Sequence, residues 1–239
     1  MMTIPGGAPA EITGFAKICN WFSYIVAFAK VDFGRYFFNS VIYSGAGGFC
    51  IILISSIAAY AFSRLEFFGK KILFYFLIFT FLIFGACSLV SLRVVLKDFY
   101  IFDTRTGLLL FYISNGLAFT IFVFKKIFDK LPKEVDEAAV IDGCSRFGIY
   151  WRITIPLARP ALIVLIIINF VVIWNDLLFS LIVINDKLKM PLQEGLWAFQ
   201  RSGSVDYPLL MASLTMATIP MMIMFIFMQK HIKFLSKLI

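Results

Sequence analysis

The sequence predicts an all-α membrane protein with five transmembrane helices. Hydrophobic residues make up 61% of the 239-residue chain and charged residues only 15%, and this apolar excess indicates lipid as the solvent. Several runs are also apolar on every face over the roughly 20 residues that a helix needs to cross a bilayer. A soluble core does not explain five such runs.

The five predicted spans are runs without charged side chains, except that the fourth contains Asp176. Together they define a transmembrane domain over residues 37–229. The spans are residues 37–62, 72–92, 106–124, 160–185 and 207–229.

The chain ends flank this domain. Residues 1–36 are predicted to be an extracytoplasmic segment, and residues 230–239 a cytoplasmic tail. The uncharged part of the first segment, residues 18–29, is too short to cross about 30 Å of hydrocarbon at about 1.5 Å per residue. We therefore expect an interfacial helix within residues 14–29.

The orientation follows from the basic residues, because lysine and arginine are retained on the cytoplasmic side. Residues 63–71, 125–159 and 230–239 hold 13 of them, against nine in the segments of the opposite side. The bias predicts an outside N-terminus and an inside C-terminus. An odd number of spans then requires the first segment to cross unaided, and a missing upstream helix would remove that difficulty.

The longest cytoplasmic segment, residues 125–159, has the signals of an ordered loop. Pro132 suits a first helical turn, Glu134 and Asp136 lie near the positive end of the helix dipole, and Gly143 can close the helix in a left-handed cap. A second short helix is predicted for residues 147–152, before the chain returns to the membrane near Pro156.

Small side chains in this loop predict a docking surface. Ala138 and Ala139 would let another surface approach the helix backbone, and Glu137 and Asp142 can accept hydrogen bonds at its edges. Aromatic residues nearby, such as Trp151, are typical of interface cores. From composition alone, an amphipathic helix resting on the lipid surface is an equal alternative.

The spacing of seven loop residues favours the docking surface over the helix resting on lipid. The pattern is Glu137, Ala138, Ala139, Gly143, Ile153, Ile155 and Pro156. It resembles the signature loop of permease subunits of binding-protein-dependent ABC importers, which have leucine where this chain has Ile155. The segments AAYAFSR (58–64), WNDLLFSL (174–181) and DYPLLMA (206–212) are similar to the carbohydrate, maltose-type branch.

The resemblance implies a non-catalytic permease subunit for sugars or related polyols in a prokaryotic plasma or inner membrane. Its implied partners are a second permease subunit in a heterodimer, two ATPase subunits that hydrolyse ATP, and an extracytoplasmic solute-binding protein. The ATPase-coupling residues would be Glu137, Ala138, Ala139, Asp142, Gly143, Ile153 and Pro156. Family members usually have six spans, so this chain resembles that core without its first helix. The run at residues 84–96 also departs from the family pattern.

Polar residues within the spans are the candidates for a solute path, because polar groups are costly in lipid. Trp174, Asn175 and Asp176 combine an indole with hydrogen-bonding groups near the outer border, as sugar sites do. Asn115 and Asn169 lie deeper. For each of these five residues, helix packing or interfacial anchoring is the alternative interpretation.

The sequence lacks the residue patterns expected for catalysis, metal binding or nucleotide binding. His231 is the sole histidine and the four cysteines lack metal-ligand spacing, so no catalytic or metal site is predicted. No phosphate-binding loop occurs, so nucleotide must bind another chain. The net charge of +8 is spread along membrane borders, which predicts lipid headgroups rather than nucleic acid as partners. An ion-coupled secondary transporter is the alternative, although Asp176 is the only intramembrane acid.

Overall fold

The computed structural model describes residues 32–83, 88–201 and 207–235. Over these residues the protein contains helices and no strand, so the prediction of an all-α protein is confirmed there. The interfacial helix expected within residues 14–29 lies outside the described residues.

The helices follow in chain order, with two long ones in the first half and one at the end. They are α1 (Phe33–Arg64), α2 (Lys70–Ile83), α3 (Ser88–Asp98), α4 (Arg105–Lys130), α5 (Lys133–Ile141), α6 (Arg146–Ile149), α7 (Ile155–Leu157), α8 (Arg159–Trp174), α9 (Leu178–Val183), α10 (Leu192–Arg201) and α11 (Tyr207–Leu235). A π-helical turn, Tyr150–Thr154, joins α6 to α7.

Among the described residues, three helices are long and apolar enough to span a membrane: α1, α4 and the Leu210–Phe227 part of α11. A fourth span is possible if Arg146–Leu157 and Arg159–Trp174, which meet at a bend of 78°, form one broken span. Five spans therefore exceed the three or four that length and composition support. The predicted second span, residues 72–92, includes residues 84–87 outside the described part of the chain.

Helix α1 packs along both α4 and α8, and glycines at the contacts bring the three helices together. A Cβ atom on Gly47 of α1 would lie 2.9 Å from Cδ1 of Ile173 in α8. A Cβ atom on Gly116 of α4 would lie 2.6 Å from Cδ1 of Ile51 in α1. A larger residue at either position would therefore require the facing isoleucine side chain to shift.

The core consists of apolar clusters stacked along α1. Near its start, Phe33 and Tyr36 pack with Trp174 of α8 and with α10. Near its C-terminal end, Tyr60 and its neighbours pack with α4 and with the loop that follows α4. One helix therefore contacts both ends of the structure.

Candidate functional site

Both ends of helix α5 carry residues that stabilise a helix terminus. Glu134 and Asp136 stand in its first turn, where their charge favours the helix dipole. At its end the N–H of Gly143 donates to Val140 O (3.0 Å) and the N–H of Cys144 donates to Ala139 O (2.9 Å). This pair of bonds is a Schellman motif, which needs the left-handed φ of +79° that Gly143 adopts.

The chain then turns back to the membrane through a widened helical turn. The Ser145 side chain accepts from the N–H of Gly148 and so starts α6. Pro156 has no N–H, and in a regular α-helix its ring would crowd the carbonyl of Arg152. The preceding turn is π-helical, with the N–H of Ile155 donating to Tyr150 O. The chain bends again before Pro160 and enters α8.

The loop turns most of the predicted coupling residues outward. Glu137, Ala138, Asp142, Gly143 and Pro156 are exposed, and Ile153 is half-buried. Ala139 is buried against the protein itself, so only one of the two adjacent alanines lies on the outer surface.

Large apolar side chains accompany these residues on the surface. Ile141 is 87% exposed and Phe147 is 67% exposed, which is unusual for residues outside the lipid-facing helices. Val135, Val140 and Trp151 are exposed as well. We call the exposed residues of 135–156 the loop surface.

A second candidate site is a cavity of about 340 Å³ between α4 and α8. Three of the predicted path residues, Asn115, Asn169 and Asp176, line it together with Tyr112 and Gly116. Its remaining walls are apolar and come from Ile51, Phe81, Phe119, Ile168, Val172, Ile173 and Phe179.

The polar residues of the cavity also join the helices. Asn169 donates from Nδ2 to Thr120 Oγ1 (3.1 Å) and to Leu165 O (2.8 Å). Asp176 accepts from Tyr112 Oη (2.8 Å) and from the N–H of Ser180 (3.0 Å), so it also starts α9. The two interpretations of these residues, solute contact and helix packing, are therefore compatible.

The cavity lining does not include Trp174 and Asn175. Trp174 is 1% exposed, stacks on Phe170 with ring centroids 5.5 Å apart, and donates from Nε1 to Ala217 O (3.2 Å). Asn175 is exposed and donates to Val171 O (2.9 Å). The combination of indole and amide expected from the sequence is thus not formed. Tyr112 was not among the residues predicted from the sequence, although a tyrosine hydroxyl inside an apolar run needs a hydrogen-bond partner.

The sequence profile of the family described as "Binding-protein-dependent transport system inner membrane component" matches residues 50–234. The chain belongs to this family. The resemblance predicted from the loop is therefore confirmed, and the protein is a multi-pass component of the inner membrane.

Relatives of this permease support the assignment. The chain is 36% identical over 84% of its length to an ABC transporter permease protein of Caldicellulosiruptor sp., and covers 73% of that protein. It is 32% identical over 88% of its length to a diacetylchitobiose uptake system permease protein of Streptomyces coelicolor, and covers 70% of it. It is 32% identical over 88% of its length to a starch degradation products transport system permease protein of Thermoanaerobacterium thermosulfurigenes, and covers 76% of it.

The fold also has a solved counterpart. A chain in the crystal structure of a bacterial ABC transporter that imports the acidic polysaccharide alginate matches with a TM-score of 0.76 and 23% identity. The match covers 85% of the permease and 78% of that chain. The two chains therefore share a fold.

Proposed function

We propose that this permease is a non-catalytic subunit of an ATP-driven importer for a sugar or related polyol. It forms half of a translocation path with a second permease subunit, and two ATPase subunits hydrolyse the ATP. An extracytoplasmic solute-binding protein delivers the solute. The observation that carries this proposal is the loop surface, a set of exposed apolar and small residues on an ordered segment.

The chemistry of the loop surface favours a protein partner over lipid. Exposed apolar side chains such as Ile141 and Phe147 are costly in water unless another surface covers them. The exposed charges of the loop surface, Glu137 and Asp142 against Arg146 and Arg152, balance in sign, so they provide no net attraction to anionic headgroups. A cleft on an ATPase that receives Ala138 and Gly143 would cover the exposed apolar side chains and could pair with the exposed charges.

The proposed topology keeps five spans, with the N-terminus outside and the loop surface inside. Helices α1, α4 and α11 supply three of them, and α8 with α9 supplies another. Helix α2, which is apolar along its length from Ile72 to Ile83, begins the remaining one. In this arrangement the chain ends in the cytoplasm.

The solute class is inferred from the relatives and from the cavity. Two relatives are described as permeases for diacetylchitobiose and for starch degradation products, both neutral saccharides. Asp176 is the one charged residue in the described cavity lining, and Asn115, Asn169 and Tyr112 offer neutral hydrogen-bonding groups.

The test is to add bulk to the loop surface. In Ala138→Trp we expect normal insertion, loss of ATPase copurification, and uptake lowered about ten-fold or more, since each 1.4 kcal/mol of lost contact is about ten-fold. Glu66→Trp adds the same bulk at an exposed position outside the loop and should leave both unchanged. Unaltered uptake and copurification in Ala138→Trp would contradict docking. Uptake that depends on a proton gradient and does not depend on ATP would favour a secondary transporter.

A further inference from the structure

We propose that α1 transmits movement of the cytoplasmic loop into the membrane, and that Arg64 and Asp136 are positioning residues that fix the loop to it. This inference rests on the coupling role proposed above. It concerns a different set of residues, because those of the loop surface face outward whereas these face α1.

The first contact joins the end of α1 to the side of α5. Arg64 Nε lies 2.6 Å from Asp136 Oδ2, and the two side chains are only 6% and 17% exposed. Arg64 also donates from Nη2 to Leu131 O (3.0 Å), immediately before α5. The guanidinium therefore holds both the start and the first turn of the segment, in a site where water screens the charges weakly.

Two further contacts continue along α1 toward the membrane. Tyr60 Oη donates to Arg146 O (3.3 Å) at the start of α6, and Ser56 Oγ shares a buried hydrogen bond with Tyr150 Oη (2.8 Å). The rings of Tyr60 and Tyr150 also pack together, with centroids 5.3 Å apart. The loop is thus bound to α1 at α5, at α6 and at the π-helical turn.

The spacing of the three α1 residues explains how one helix makes all these contacts. Ser56, Tyr60 and Arg64 are four residues apart, so they form a stripe on one face of the helix. A rigid helix that is held at three levels must move with the segment that holds it. We call Ser56, Tyr60 and Arg64 the α1 stripe.

Helix α1 also lines the cavity, so a movement of α1 would displace part of the cavity wall. Ile51, little more than one turn before Ser56, is buried and lines the cavity. By contrast, α8 is separated from the loop by the 78° bend, so chain continuity transmits movement less directly there. Displacement of α5 would therefore reach the cavity wall through α1.

The test measures coupling in the complete transporter, reconstituted with its partner subunits. In Arg64→Gln and in Asp136→Asn we expect uptake per ATP hydrolysed to fall about ten-fold, with the ATPase still bound. The double variant should be no worse than Arg64→Gln alone, since that substitution already removes the interaction that Arg64 shares with Asp136 as well as the bond to Leu131 O. Glu66→Gln, which removes the exposed pair with Lys70, is the matched control and should keep the parental ratio.

A distance measurement separates transmission from mere stability. Spin labels at Val140→Cys on α5 and Ile57→Cys on α1, both exposed positions, report whether the two helices move together. We expect their distance to be the same with and without ATP in the parent, and to become nucleotide-dependent in Asp136→Asn. A parental distance that changes with ATP, or single variants with unaltered uptake per ATP, would overturn the α1 proposal. If Ala138→Trp uncouples transport in that case, the docking role survives alone.

Discussion

At Gly143 the backbone adopts a φ of +79°, a conformation that costs an L-residue about 1–2 kcal/mol. An added Cβ would meet no atom of this chain within 4 Å, so comparing two side chains of similar size here separates the backbone effect from the effect of added bulk. In Gly143→Val we expect α5 to end differently and ATP-dependent uptake to fall several-fold, as measured in membrane vesicles. Gly143→Asn, which tolerates the left-handed region, should retain most of the activity. Equal activity of both variants and the parent would mean that the cap is dispensable.

Glu194 is a residue whose burial sets a pH dependence. It lies in α10, outside the proposed spans, and is only 2% exposed. The pKa of its carboxyl is raised to about 8, chiefly by burial and in smaller part by nearby Asp176 and Asp103, whereas a hydrogen bond with Ser180 acts in the opposite direction. The folded protein therefore holds this carboxyl protonated at neutral pH.

The sign of the effect follows from the raised pKa of Glu194. The unfolded chain loses this proton near pH 4.5 and the folded chain near pH 8, so the contribution to folding stability is complete below pH 4.5 and is lost as pH rises toward 8. The full loss is at most about 5 kcal/mol. We expect the unfolding temperature in detergent to decrease as the pH is raised from 5 to 8.5. In Glu194→Gln this dependence of the unfolding temperature on pH should be weaker. A parallel slope in the variant would assign the effect to other groups.

At the scale of single elements, local signals were sufficient for α5. Pro132, the acidic first turn and Gly143 predicted a short helix, and the structure has α5 over Lys133–Ile141 with a glycine cap. These signals act within a few residues of each other, so they can be read without knowing the fold. The π-helical turn was not predicted, because it depends on how Pro156 is fitted between two packed segments.

The cavity could be predicted only in part, because its hydrogen bonds join distant residues. Asn169 is bound to Thr120, 49 positions earlier, and Asp176 to Tyr112, 64 positions earlier. Sequence spacing carries no information about such partners. Depth along the helix was more informative, since Asn115 and Asn169 were proposed on depth and both line the cavity.

Substitutions that keep the helices intact can test whether the cavity lies on the solute path. Asp176→Asn preserves the size of the side chain and can still accept a hydrogen bond from Tyr112. Asn115→Ala shortens a lining side chain and so enlarges the cavity. We expect each to raise the KM of uptake several-fold with little change in maximal rate, because contacts with bound solute are lost. Asn175→Ala, at the exposed neighbour outside the cavity, is the control. A KM that moves equally in Asn175→Ala would remove the cavity from the path.

At the scale of the whole molecule, polar contacts gather at both ends of α1. At the end opposite the loop, Asp103 Oδ1 accepts from the N–H groups of Asn185 (2.9 Å) and Asp186 (3.1 Å). Asn39 of α1 donates to the carbonyls of Leu188 and Met190, both at 3.0 Å. These bonds fix the segment between α9 and α10, whereas the α1 stripe fixes the loop surface at the other end.

This two-ended arrangement makes the orientation in the membrane testable. The count of basic residues puts residues 125–159 inside and residues 186–206 outside, although 13 against nine is a modest bias. Val140 and Lys187 are exposed at the two ends, and each can be replaced by cysteine after the four native cysteines are changed to alanine. We expect a membrane-impermeant thiol reagent to label Lys187→Cys in intact spheroplasts, and Val140→Cys only in inside-out vesicles. Labelling of Val140→Cys from outside would place the loop surface beyond the reach of any cytoplasmic ATPase, and the coupling proposal would fail with it.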